Sequence, residues 1–237
     1  MICFAALTLG AQTNDGFKKT DKEQAMKLLQ QMNQWYTSAP SYSFTVTHAT
    51  YAGHNEINPY EQTKGYFRKF ENGYHSFLAN ITSIQNKNYK VSIDSVKKII
   101  LVCNPDKSAA QQFSTEEYIQ ALGNCSTFKL REGQKTNTLR LEFEKYSQFS
   151  ACEFVTSKDN LIQSITLFYA SEVKSLEGKM VKPKLSITFQ KYTKGISPGK
   201  NENNEAIYFS ADKDKLVLKD IYKDYKLYDQ RIPNDKL

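Results

Sequence analysis

From Phe128 to Tyr192 the chain alternates apolar and polar residues with period two, and this pattern constrains its fold most. Leu139, Leu141 and Phe143 alternate with Arg140, Glu142 and Glu144. Ile165, Leu167 and Tyr169 alternate with Ser164, Thr166 and Phe168, and Leu185, Ile187 and Phe189 with Ser186, Thr188 and Gln190. Successive side chains of a strand point to opposite faces, so each run makes one apolar and one polar face. An antiparallel sheet of such strands needs a second sheet, a helix or a ligand over its apolar face. What supplies that cover decides what the protein does.

Upstream the pattern continues as a meander. Ser41 to Tyr51 sets Tyr42, Phe44 and Val46 on one face, Gly53 to Pro59 is a turn-forming loop, and Gln62 to Phe70 returns as a strand. Asn72-Gly73 is a hairpin signal leading into Tyr74 to Ala79. Tyr89, Val91 and Ile93 pair, across the turn Asp94 to Lys97, with the strand Ile99 to Cys103. No crossover helix separates these strands, which argues against a parallel α/β sheet. Ser171 to Pro183 and Gly195 to Glu205 read as exposed, mobile loops. The tail, Tyr208 to Ile232, carries further strands around Lys215 to Leu218 and Tyr225 to Tyr228. Neither a repeat nor a linker divides the chain, so residues 12–237 form a single β domain.

Two helices interrupt the strands. Thr20-Asp-Lys-Glu23 is a capping box, and Ala25, Leu28, Leu29, Met32, Trp35 and Tyr36 then share one helical stripe. That helix must stop before Pro40, whose ring pushes Ala39 toward extended geometry. Ser114-Thr-Glu-Glu117 is a second capping box, and Tyr118, Ile119 and Leu122 are the apolar side of a short helix ended by Gly123.

The segment Met1 to Gln12 is apolar but too short to span a bilayer. It reads as the remnant of a signal peptide, residues 1–11, cut after Ala11. Loss of Cys3 with it would leave Cys103, Cys125 and Cys152, enough for one bridge. Cys103–Cys125 is the expected pair, because these residues flank the inserted helix and would meet if their strands were neighbours. Such a closed loop would stabilise the fold by roughly 3 kcal/mol.

The net charge of +7 is almost all lysine interspersed with acidic residues. Arg68, Arg131, Arg140 and Arg231 are the only arginines. This describes a solvated surface, not a nucleic-acid groove. The three histidines, His48, His54 and His75, have no acidic or cysteine partner at metal-ligand spacing. Neither a nucleophile elbow nor a phosphate loop is present. The carboxylate pairs Glu116/Glu117 and Glu142/Glu144 belong to a helix start and to the polar face of a strand. A non-enzymatic protein without metal or cofactor is therefore expected.

Tyr42-Ser-Phe-Thr-Val46, Gly65-Tyr-Phe-Arg-Lys69, Ile99-Ile-Leu-Val102 followed by Asn104-Pro105, and Asp224-Tyr-Lys-Leu-Tyr228 resemble strands of the LolA/LolB-like periplasmic lipoprotein carriers. The chain looks especially like divergent versions of these carriers from Bacteroidetes. The resemblance implies an α+β, mainly antiparallel fold: an incomplete, half-open β-barrel of about ten strands, with the N-terminal helix and the short inserted helix on its concave face. It also implies a periplasmic, monomeric protein that carries a lipid acyl chain or a lipoprotein and meets an envelope protein partner. The groove would be lined by Phe44, Val46, Val91, Ile93, Leu141, Phe143, Ile165, Leu167, Leu185 and Ile187. Trp35, Tyr118, Ile119 and Leu122 would face it from the helices. Two such helices are too small to cover the sheet, so an apolar cavity for one or two acyl chains is expected. The family's lid-latching arginine falls near Phe70, and Arg68 stands two residues away on the same face. The alternative is a non-catalytic envelope scaffold whose half-barrel is filled by its own side chains.

Overall fold

The computed structural model describes residues 16–106, 124–175, 177–212 and 215–231. Strand β1 (Lys18–Thr20) precedes helix α1 (Lys22–Ser38). Then come β2 (Tyr42–Tyr51), β3 (Glu61–Phe70), β4 (Gly73–Leu78), β5 (Ile81–Gln85), β6 (Lys90–Asp94) and β7 (Ile99–Cys103). The second series is β8 (Cys125–Glu132), β9 (Thr136–Phe143), β10 (Phe149–Ser157), β11 (Ile162–Tyr169), β12 (Val173–Lys174), β13 (Met180–Val181) and β14 (Lys184–Lys194). The tail adds β15 (Phe209–Asp212), β16 (Lys215–Leu218) and β17 (Lys226–Asp229), with 3-10 turns at Glu205–Ile207 and Asp220–Tyr222.

Among the described residues, thirteen of these strands form one sheet in the order β1-β8-β9-β10-β11-β14-β2-β3-β4-β5-β6-β7-β17. The sheet is larger than the expected ten strands, and it is open, with β1 and β17 at its edges. The long β14 joins the two halves by pairing with both β11 and β2. Pairing is antiparallel throughout the meander, as alternation requires, but β17 returns parallel to β7. The stretch expected as a loop, Ser171 to Pro183, carries the β12–β13 hairpin. The expected inserted helix lies outside the described residues.

Local chemistry explains the boundaries. The helix start is one residue later than expected: Asp21 is the N-cap, and its Oδ1 accepts from the Gln24 N–H at 2.7 Å. Thr20 instead closes β1 and donates its hydroxyl to the Gln24 side chain. The helix ends at Ser38 with Ala39 extended before Pro40. Gly73 opens β4 opposite Phe70 at φ +149, and a Cβ there would stand 1.8 Å from the Gln85 carbonyl oxygen. Only glycine permits that approach.

Register divides the apolar residues into two cores on opposite faces. On the inner face α1 lays Ala25, Leu29, Met32 and Tyr36 over Tyr42, Phe44, Phe67, Leu139, Leu141, Phe154 and Phe189. On the outer face Ile84, Val91, Ile93, Ile100 and Val102 are covered by Tyr208 and Phe209 of the tail. The ladder fixes this assignment. Val91 stands opposite Ile84, Ile84 opposite His75, His75 opposite Arg68, and Arg68 opposite Ser43, the neighbour of Phe44. A one-residue offset reverses the face. Val91 and Ile93 therefore do not share the groove with Phe44 and Val46, contrary to expectation. The row that continues Phe44 and Phe67 across β4, β5 and β6 is Ser76, Ser83 and Ser92.

The expected Cys103–Cys125 bridge is absent, and Cys103, Cys125 and Cys152 are all thiols. Cys103 ends β7 and Cys125 begins β8, strands that lie next to opposite edges of the sheet. The premise that these strands are neighbours fails.

Candidate functional site

Among the described residues, α1 covers the inner face at one end and no other helix covers the rest. Under the helix, Leu28 and Met32 meet Leu130, Leu139 and Phe154 around a void of only about 10 Å³. That is no larger than a single water. At the C-terminal end of α1 an aromatic cluster closes the contact. The Trp35 ring lies 5.4 Å from those of Tyr42 and Tyr192, and the Tyr36 hydroxyl meets the Tyr192 hydroxyl at 2.8 Å. Tyr192 donates in turn to the Ile162 carbonyl. Burial pushes the Tyr36 hydroxyl up to about 12, so this chain stays protonated at ordinary pH.

Lys69 ties the same helix end to the sheet. The residue is 9% exposed, and its ammonium donates to the Ala39 carbonyl at 3.1 Å and the Tyr36 carbonyl at 3.4 Å. A cation there also meets the negative end of the helix dipole. Burial lowers its pKa. Sequence reasoning places an arginine latch near Phe70 and misses Lys69. The signal was available: Gly65, Phe67 and Lys69 form the inward set of β3, and a lone cation in an apolar set implies a buried partner. Arg68 points the other way and pairs with Glu202 of the tail on the outer face.

Beyond α1 the inner face is an apolar strip. Ile165 stands opposite Ile187, and Leu167 opposite Leu185. Phe143, Ile165, Leu167, Leu185 and Ile187 are half-buried, unlike the buried Phe44, Val46 and Leu141 beneath the helix. A recess of about 210 Å³ adjoins the strip, lined by Leu185, Leu78, His48, Thr50, Thr63 and Glu61. Burial holds the His48 imidazole below its ordinary pKa, favouring the neutral form. Past the strand ends lies a cavity of about 440 Å³ between the β2–β3 loop and the β12–β13 hairpin. Ala52, Tyr60, Val173, Val181 and Pro183 form its apolar walls, and Glu56, Lys174, Glu177 and Lys179 its charged lining. Its volume is in the range of small-molecule sites.

The expected groove residues thus divide. Phe44, Val46 and Leu141 are buried in the α1–sheet core, Trp35, Phe143, Ile165, Leu167 and Ile187 are half-buried and pack against that core, and Leu185 stands beside Leu167. Val91 and Ile93 lie in the outer core. Tyr118, Ile119 and Leu122 lie outside the described residues. The rim cavity is built by two loops that carry no alternation, so periodicity gave no sign of it.

The candidate pair Glu116/Glu117 lies outside the described residues. Among the described residues no three His, Cys, Asp or Glu side chains stand close enough to hold a metal ion. Glu142 is bound by Lys129 at 2.9 Å and by Arg140 at 3.1 Å, and Arg140 also reaches Glu153 at 2.6 Å. Against its partial burial, these cations hold the Glu142 carboxyl below its ordinary value. It is one member of an ion network on the solvated face.

No protein-family model matches this chain. No curated protein matches it either. Among solved structures it is similar to an uncharacterized conserved protein from Thermus thermophilus, at 8% identity and a TM-score of 0.46, over 87% of this chain and 99% of that one. It is also similar to lipoprotein LppX of Mycobacterium tuberculosis, at 9% identity and a TM-score of 0.37, over 75% and 99% of the two chains. A DUF1329 family protein from Desulfovibrio piger is similar at 10% identity and a TM-score of 0.36, over 79% and 99%. Likeness this loose leaves function to the site itself.

Proposed function

We propose that this protein is a non-catalytic, periplasmic carrier that holds the acyl chain of a lipid or lipoprotein on the inner face of its open sheet. The observation that carries the reading is the half-buried strip Phe143, Ile165, Leu167, Leu185 and Ile187, continuing past α1 toward the rim cavity. Aliphatic side chains left half-wet in adjacent strands favour an apolar ligand, and each methylene buried there would contribute about 0.8 kcal/mol. The proposal includes export, which the apolar run Ala5 to Leu9 favours.

A second reading has its own support. The tight packing under α1 and the serine row Ser76, Ser83 and Ser92 favour a scaffold that fills its sheet with its own side chains. Uptake of a fluorescent fatty acid separates the two. Leu167→Arg on the strip should abolish uptake, while Thr166→Arg on the opposite face should leave it intact. Leu141 is unsuitable for this test, because at 2% exposure an arginine there would unfold the core. If wild-type protein takes up no probe, the scaffold reading stands.

A further inference from the structure

The rim cavity has a polar organisation that the acyl-chain reading leaves unused. Its two walls are hydrogen-bonded turns. On one side Glu56 donates its N–H to the Gly53 carbonyl at 3.2 Å. On the other, Ser175 donates its N–H to the Lys179 carbonyl at 2.8 Å, and Lys179 returns its own to the Ser175 hydroxyl at 3.2 Å. These turns fix where the charged side chains leave the backbone. Glu177 and Lys179 pair at 3.0 Å with side chains 74% and 75% exposed, so they stand at the mouth. Glu56 and Lys174 are exposed as well, whereas Pro183 is buried and Ala52 and Val181 are half-buried. The cavity therefore has an apolar floor and a mouth carrying two carboxylates and two ammoniums. The floor lies beside the strip, since Pro183 directly precedes β14 and accepts from the Tyr169 N–H at 3.1 Å at the end of β11.

Resting on the carrier reading above, we infer that the rim cavity is a head-group site for a zwitterionic amphiphile, an acyl chain whose head bears one anionic and one ammonium group. The tail runs along the strip and the head stays at the mouth. A purely anionic head would meet Glu56 and Glu177, and a purely cationic head would meet Lys174 and Lys179. A head carrying both signs sets its ammonium against Glu56 and its anion against Lys174, leaves the Glu177–Lys179 pair made, and loses least solvation at an exposed mouth.

The test is calorimetric titration of the full chain with three single-chain lipids of equal tail length: lysophosphatidylethanolamine, lysophosphatidylglycerol and a monoacylglycerol. The zwitterionic lipid should bind about fivefold more tightly than the neutral one, the effect of two exposed charge contacts. The double variant Glu56→Gln/Lys174→Gln should reduce that affinity to the monoacylglycerol value. The charge-swapped Glu56→Lys/Lys174→Glu should restore the preference, because the mouth again carries both signs. Circular dichroism confirms that each variant keeps its sheet. Equal binding of all three lipids overturns the head-group site and leaves the carrier intact. Tighter binding of the anionic lipid overturns it in favour of a lysine site. Binding of none overturns both.

Discussion

Replacing Lys69 by methionine tests whether α1 is held to the sheet as described. Methionine keeps the length and apolar stem of the side chain and removes the ammonium that donates to Ala39 and Tyr36. A hydrogen bond from a charged donor contributes roughly 1.5 to 3 kcal/mol, and the 3.1 Å bond should provide most of it. Desolvation of the ammonium takes back most of this, as its lowered pKa shows. The variant should therefore be less stable by about 1 kcal/mol at neutral pH, chiefly because the Ala39 and Tyr36 carbonyls lose their donor. The pH dependence has a definite sign. Burial lowers the folded-state pKa of Lys69 below 10.5, so near that range the unfolded chain binds more protons than the native one. Wild-type stability therefore gains from Lys69 as pH rises through the lowered pKa toward the unfolded value, and the Lys69→Met variant lacks that gain. The gap between them should widen at alkaline pH. Urea titrations at several pH values provide the free energies. Trp35, the single tryptophan, sits in the α1 aromatic cluster and reports helix docking through its fluorescence. Equal stability of the two proteins at neutral pH, or a gap that narrows at high pH, would refute the latch.

The remaining predictions concern the outer face and the thiols. Arg68→Ala should lower stability by no more than about 1 kcal/mol, because its pair with Glu202 is partly exposed, but proteolysis within Gly195 to Glu205 should accelerate. Additive effects of Arg68→Ala and Glu202→Ala in a double-mutant cycle would show that the two are not coupled. Burial raises both the Cys125 thiol, up to about 11, and the Cys152 thiol. A thiolate-selective reagent at pH 8 should therefore label neither in the native protein and both in urea; rapid native labelling of Cys152 would contradict the inner core.

The alternating stretches make the sheet legible in the sequence. β9, β11 and β14 each present the apolar set that the sequence assigned to one face. Alternation could not say which strand pairs with which, and this is where the reading of the groove failed. Val91 and Phe44 both sit in apolar sets of period two, yet they face opposite ways, because the register across four intervening pairs offsets them by one residue. The same limit misplaced the disulfide, since β7 and β8 are consecutive in the chain and remote in the sheet. Helix α1 was predictable from its stripe and from Pro40, and its start slipped by one because Asp21 competes with Thr20 for the cap. The outer core needed knowledge of where the tail returns, and no local pattern in Tyr208 or Phe209 states it.

The measurement that bears most directly on the carrier account is the lipid content of the protein as its native host makes it. Protein purified without detergent would be extracted with organic solvent, and the extract weighed against the protein by mass spectrometry. The account predicts an amphiphile with an acyl chain in stoichiometric amount, lost from Leu167→Arg and retained by Thr166→Arg. Wild-type protein that emerges with no bound lipid, and then takes up none from an added fatty-acid probe, would contradict it.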